Sequence, residues 1–519
     1  MAYTPPAYPP PYMPRRGALE LFELSLRALW HNPSIAVPVL FFNGLSNMAS
    51  LAGLLALLAF VAYLSSLGLL KPLVDAIRAF NLEALIGLVL RPDVALAFLM
   101  TVVAVVVSTL VISALAASFA YSGLYKMGEE ILIGGKTGLM TFLKHASENW
   151  GALFPLALLL QAAVLIPGWL FVLRALLAPY PACLIDFLGL LADFILLVLY
   201  LILFSLLTYF ALVALALEPE LGVIGALKAS VRAFARSPGS TVLLVLFQGA
   251  LEAGLSTLAG FLGRFSLGLS SLISLVVMLV LDPCFQVARV GIYIQAMGKL
   301  VPLGALGWRI GPTVSGAFRR GLKELKSFFS RSDNLILLLY SALTFAIGLL
   351  AGLALGTSSQ LRYAARALGL VVPGRMNPLA RWPYGLSLSF YVGFLNWRLA
   401  ISSATSGLFF CVPILVFLFA NGLVIGMVAS LLGNPVLAMA ALVPHGVIEI
   451  PAFLLASACG LRLGLAYRAY RKGLMDLKGL TEVVRTCVYA IIGLLPVFLL
   501  AGLIEGLLTP FVMELFGWR

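Results

Sequence analysis

Residues 96–124 contain no aspartate, glutamate, lysine or arginine, and comparable apolar runs recur along the rest of the chain. A helix needs about 20 apolar residues to cross a bilayer, so each such run is long enough to span one. The chain is 62% hydrophobic and 11% charged, whereas soluble domains carry about 25% charged residues. The runs are rich in Leu, Ala, Val and Gly and lack the period-two alternation of a transmembrane barrel. In lipid, helices then remain as the way to satisfy every backbone amide and carbonyl internally. The expected fold class is therefore all-α: a polytopic integral membrane protein with about 11 transmembrane helices in two helical bundles.

The spans are read near 35–66, 96–124, 151–177, 185–216, 240–262, 268–297, 334–356, 386–405, 408–431, 437–461 and 486–510. The 386–405 segment is the least apolar, with Asn396 and Arg398 at its middle. It is read either as a short crossing or as an interfacial elbow. Counted as a crossing, it brings the basic stretch 462–485, with Arg462, Arg468, Arg471, Lys472, Lys478 and Arg485, to the inner face. The N-terminus is then cytoplasmic and the C-terminus outside, with loop 357–384 (Arg362, Arg366, Arg375, Arg381) as a misfit to that topology.

The formal net charge of +13 comes from Lys and Arg clustered in short segments beside apolar spans. That is the positive-inside pattern rather than a nucleic-acid footprint. The five cysteines, Cys183, Cys284, Cys411, Cys459 and Cys487, are scattered without CxxC spacing and read as small apolar packing residues. Residues 1–17 are rich in proline and read as a disordered tail. Residues 18–298 then form an N-terminal helical membrane domain, residues 299–333 a basic amphipathic linker on the inner surface, and residues 334–519 a second membrane domain. Segments 22–41 and 226–247 share one layout: an amphipathic helix, a breaker, and a new apolar span.

The most informative motif lies in the second domain. His445 and Glu449 are four residues apart, on one face of an apolar helix. Ionisable groups at that depth are costly and usually have a partner. Three readings are open. The pair forms a hydrogen-bonded lock between helices, with Asn421 or Asn396 as a third member; it lies on an ion or proton path; or it supplies two ligands of a metal site. A catalytic zinc site takes three protein ligands, and the remaining histidines, His31 and His145, lie in the first half. No metal and no cofactor are therefore expected.

Gly422 and Gly426, and Gly460 and Gly464, each form a GxxxG pair, and these with Gly446 are expected to let helices approach closely. Pro444 and Pro451 bracket the His–Glu pair and should break or kink the helix. No GxxxxGK[ST], HExxH or GxSxG signature occurs, and the glycine-rich GEEILIGGKTG at 128–138 reads as a turn. No catalytic residue is assigned, and the chain is read as non-enzymatic.

Together, Asn396, ANGLVIG (420–426), VPHGVIEIPAFLLA (443–456) and GLRLG (460–464) resemble the membrane domain of the stage II sporulation protein M family. That resemblance covers about 334–510 and carries over onto Asn421, Gly422, Pro444, His445, Gly446 and Glu449. Residues 17–300 resemble more loosely the glycerophosphodiester phosphodiesterase-associated membrane domain, through ALEPELGVIGALKASVRAFARSP (215–238). Members of the first family in spore formers are much shorter, so the extra half implies a version from prokaryotes that form no spores. The resemblance implies a scaffold or anchor for an envelope or membrane-remodelling complex in the cell membrane. Its partners would be membrane lipids and unidentified membrane or envelope proteins, with a homo-oligomer also open. A transporter or ion-conducting protein using the His/Glu site is the alternative.

Overall fold

The computed structural model describes residues 15–177, 184–264, 266–299, 301–302, 308, 310–367, 384–409 and 411–516. The proline-rich leader up to residue 14, Cys183, and Arg375 and Arg381 of the 357–384 loop lie outside the described residues.

Among the described residues there is no β-strand. The helices of the first half are α1 (Ala18–His31), α2 (Val37–Ser66), α3 (Leu70–Arg78), α4 (Leu82–Val89), α5 (Pro92–Gly134), α6 (Leu139–Leu177), α7 (Leu184–Thr208), α8 (Ala211–Leu217), α9 (Gly222–Arg236), α10 (Pro238–Gly263), α11 (Leu267–Val276) and α12 (Asp282–Ala296). Those of the second half are α13 (Ile310–Phe328), α14 (Ser332–Gly356), α15 (Ser359–Ala367), α16 (Tyr384–Ser406), α17 (Val412–Leu431), α18 (Pro435–Arg471), α19 (Leu477–Leu503) and α20 (Thr509–Leu515). Among the described residues, ten helical stretches are long and apolar enough to cross a membrane. In the most apolar window of Leu188–Leu217, 0% of residues are buried by protein. An apolar helix that protein does not cover belongs against lipid, and the chain is an all-α multi-pass membrane protein.

The eleventh expected span, α16, is a single 23-residue helix that falls short of those ten in apolar character. Its polar side chains face protein. Ser402, Ser403, Thr405 and Ser406 are buried; Ser403 bonds Ser457 of α18 at 2.7 Å, and Asn47 of α2 donates to Ser402 at 2.8 Å. The Trp397 indole donates to the Ile491 carbonyl of α19 at 2.8 Å. A helix wrapped by other helices can carry hydroxyls that a lipid-facing helix cannot.

Helix packing divides the chain into two units that interleave along the sequence. One comprises 1–36, 121–251 and 280–309. Its core is α12, in which every residue from Pro283 to Ala296 except Arg289 is buried; Phe285 meets Phe22 of α1 at 4.5 Å between ring centroids. The Arg289 guanidinium lies 4.0 Å from the Tyr209 ring centroid, and Glu129 pairs with Lys126 at 2.8 Å and Lys299 at 2.9 Å.

The second unit comprises 37–120, 252–279 and 310–519. It therefore takes two segments from the first half of the sequence, where a linear division at 299–333 would place none. The basic segment read as a linker contains α13, whose inner face packs on α19. A Cβ on Gly321 would sit 2.7 Å from the Gly493 amide nitrogen, Arg320 lies 4.7 Å from the Tyr489 ring centroid, and Phe328 is buried. Most of the basic stretch 462–485 is helical too, because α18 runs on to Arg471 and α19 starts at Leu477.

The echo between segments 22–41 and 226–247 holds locally. α1 ends at His31, and a 3-10 turn at Pro33–Ala36 leads into α2; α9 ends at Arg236, and Pro238 opens α10. Proline at the first helical position lacks an amide the helix would leave unpaired anyway. Of the described cysteines, Cys284, Cys459 and Cys487 are buried and all four are free thiols, as packing residues should be.

Candidate functional site

His445 and Glu449 lie in the N-terminal half of α18, which runs unbroken through Pro444 and Pro451. Of the two outcomes expected of these prolines, a break or a kink, the break does not occur. Each proline removes one amide donor, so the carbonyls of Ala440 and Val447 lose their usual partner four residues on, but helical turns on both sides continue the ladder.

A third ionisable side chain meets the pair. One ligand atom each from His445, Glu449 and Glu505 lies within 4.8 Å of the other two. Glu505 reaches this point from a π turn, Ile504–Leu508, that joins α19 to α20. The cause is local. Pro510 has no amide to give the Gly506 carbonyl and its ring crowds that carbonyl, so the helix widens by one residue just before it. The same arrangement precedes Pro283, where Val277–Leu281 is a π turn.

Two further groups orient these side chains. His445 Nδ1 lies 3.2 Å from Thr509 Oγ1, and that hydroxyl donates its proton to the Ile504 carbonyl at 3.2 Å. Toward the imidazole the hydroxyl can then only accept, which places the ring proton on Nδ1 and leaves Nε2 with a free lone pair. The Asn396 amide of α16 lies beside the Glu449 carboxyl. Glu449 Oε2 is fully buried and has no hydrogen-bond partner. Neither glutamate takes part in any ion pair among the described residues.

Asn421 does not bond into this cluster; its amide donates to the Phe417 carbonyl of its own helix at 2.8 Å. The packing glycines divide as well. Gly422 and Gly426 of α17 lie against the backbone of α14, where Gly348, Gly352 and Gly356 return the contact. On α18, a Cβ at Gly460 would stand 2.9 Å from the Ala404 carbonyl oxygen, and one at Gly464 would stand 2.6 Å from that of Gly407. Gly446 is different: a Cβ there would meet only Ile450 of its own helix, at 3.5 Å, so it is not a packing glycine.

Sequence reasoning missed Glu505 and Thr509, and the glycines of α14 that complete the α14–α17 seam. The signals were present. Glu505 is the only charged residue in 486–510, and Gly348, Gly352 and Gly356 keep a strict four-residue spacing.

Residues 341–510 match the family model described as Stage II sporulation protein M. No curated protein and no solved structure matches the chain. The matched stretch holds Asn421, Gly422, Pro444, His445, Gly446 and Glu449, and it also holds Glu505 and Thr509. It does not reach residues 17–300, so the looser resemblance of that half gains no support from it. Residues 341–510 of this multi-pass membrane protein are a Stage II sporulation protein M family domain.

Proposed function

We propose that the protein is a non-enzymatic membrane scaffold or anchor for an envelope or membrane-remodelling complex. In this reading it sits in the cell membrane with its N-terminus in the cytoplasm. The observation that carries the reading is the backbone-to-backbone packing of the second unit. Gly348 and Gly352 of α14 lie against the Phe419 and Leu423 carbonyls of α17, Gly422 and Gly426 of α17 lie against the Phe345 and Leu349 carbonyls of α14, and Gly502 and Gly506 of the α19 stretch lie against α16. Helices packed this closely cannot slide or part without disrupting the whole seam at once, which suits a fixed platform for other proteins. Arg15 and Arg16 ahead of α1 favour the cytoplasmic placement of that end.

Affinity purification of the full chain in mild detergent, after crosslinking in cells, should return the same membrane or envelope proteins reproducibly. Recovery of the chain alone would overturn the scaffold. A second reading, an ion- or proton-conducting protein, draws on the His445–Glu449–Glu505 cluster. Under it, reconstituted protein would carry a flux in liposomes that Glu449→Gln abolishes. The scaffold reading expects no flux from either form.

A further inference from the structure

We propose that His445, Glu449 and Glu505 bind one divalent transition-metal ion, zinc by their donor set, which clamps α18 to the π turn between α19 and α20. The inference is independent of whether the protein scaffolds or conducts.

The donors come from two segments, His445 and Glu449 from α18 and Glu505 from the π turn, and converge on one point, each within 4.8 Å of the others. Tetrahedral zinc with ligand bonds of about 2.0–2.1 Å needs ligand atoms about 3.3 Å apart. The widest pair must therefore close by at most about 1.5 Å, a movement within reach of glutamate side-chain torsions. Two carboxylates this close repel each other across a poorly screened interior, and neither has an arginine or lysine partner among the described ion pairs. A divalent cation between them cancels both charges, leaving a site with no net charge in a helix that crosses lipid.

An independent observation points the same way. Glu449 Oε2 is fully buried without a hydrogen-bond donor, although buried polar atoms are nearly always satisfied. A metal ion supplies that missing partner. The neighbours are arranged as ligand supports. Thr509 fixes the His445 tautomer with Nε2 free, and Asn396 holds the Glu449 carboxyl. Outer groups of this kind commonly orient metal-binding histidines and carboxylates. The π turn is part of the device, since it sets Glu505 and Thr509 on the side of the helix that faces α18. One nitrogen and two carboxylate oxygens suit zinc, whereas calcium takes 6–8 oxygens and magnesium prefers an octahedral shell rich in water.

The test uses the full chain, purified in detergent through a tag without histidines, stripped with chelator and then loaded with Zn2+ and desalted. Elemental analysis should give about one zinc per chain, and Co2+ in its place should give the visible d–d absorption of a tetrahedral site. His445→Ala and Glu505→Gln should lose the bound metal and the cobalt spectrum. Glu482→Gln, in an exposed ion pair with Arg485, should keep both. Thr509→Val, which removes a support and no ligand, should weaken zinc binding roughly 10–100-fold. Size-exclusion profiles separate loss of metal from loss of fold, and the wild-type measurement stands without the variants. Wild-type protein that retains no zinc, or a well-folded Glu505→Gln protein that retains all of it, would overturn the assignment. Binding of Ca2+ or Mg2+ with no response to Zn2+ would overturn it equally.

Discussion

Replacing Gly352 with alanine adds one methyl group where α14 meets α17. Its Cβ would overlap the Leu423 carbonyl oxygen and stand 2.8 Å from the Met427 amide nitrogen, against an ordinary contact of 3.4–4 Å. The obstacles are backbone atoms, which cannot rotate away, so the two helices must separate by about an ångström or more to clear the Leu423 carbonyl. Overpacking of this kind costs roughly 1–3 kcal/mol. Separation also breaks weak Cα–H···O bonds along the seam, at about 0.5–1 kcal/mol each. Alanine in place of glycine returns about 0.5–1 kcal/mol of helix propensity. The net expectation is a destabilisation of about 2 kcal/mol. Gly446→Ala makes the same chemical change where the new methyl meets only Ile450 at an ordinary distance, so the propensity gain stands alone and the protein should become slightly more stable. Equilibrium unfolding in mixed micelles with increasing dodecyl sulfate measures both. Equal midpoints for the two variants would refute the claim that close backbone packing, rather than glycine content, holds this unit together.

Other substitutions test other interactions. Trp397→Phe removes the indole donor to the Ile491 carbonyl and part of a buried ring, and should cost about 1–2 kcal/mol in the same assay; a shift under about 0.5 kcal/mol would show that the bond does not matter. Arg289→Lys replaces a planar cation stacked 4.0 Å from the centroid of Tyr209 with a point charge, and should lower the thermal transition of the purified protein by an amount equivalent to about 1–2 kcal/mol. A wild-type transition would argue against the stacking. Pro510→Ala restores an amide to the helix and lets Ile504–Leu508 close to an α turn. One residue of register is a rotation of about 100°, which swings Glu505 off its partners, so zinc retention should fall with the fold intact. Undiminished retention would separate the π turn from the site.

The helices were legible in the sequence because lipid leaves the backbone no other choice. Their ends were less legible: α18 runs on to Arg471 and α19 starts at Leu477, inside the stretch that charge marked off. The His445–Glu449 face was visible from its spacing alone. Glu505 was not, because its partners lie more than fifty residues away and only the folded π turn brings it to them. α16 stood out as the least apolar span for a related reason: an apolarity scale assumes that a span faces lipid, and this one is polar where Ser402 and Ser403 meet α2 and α18. The grouping of residues 37–120 with the C-terminal helices had no sequence signature. It depends on surfaces meeting across hundreds of residues, which no local pattern records.

That long reach bears on how the chain is made. Asn47 bonds Ser402, 355 residues later. At about 5–20 residues per second of synthesis, the face of α2 that receives α16 waits roughly 20–70 s after it is made before its partner exists. During that interval Asn47 and Gly44 must sit in lipid or against a temporary neighbour, since the Thr405 and Ser402 surface they pack on has not yet been translated. The unit cannot assemble from the N-terminus onward. Its first helices are held in reserve, and insertion chaperones have a defined stretch, α2 and most of α5, to guard until the last third of the protein arrives.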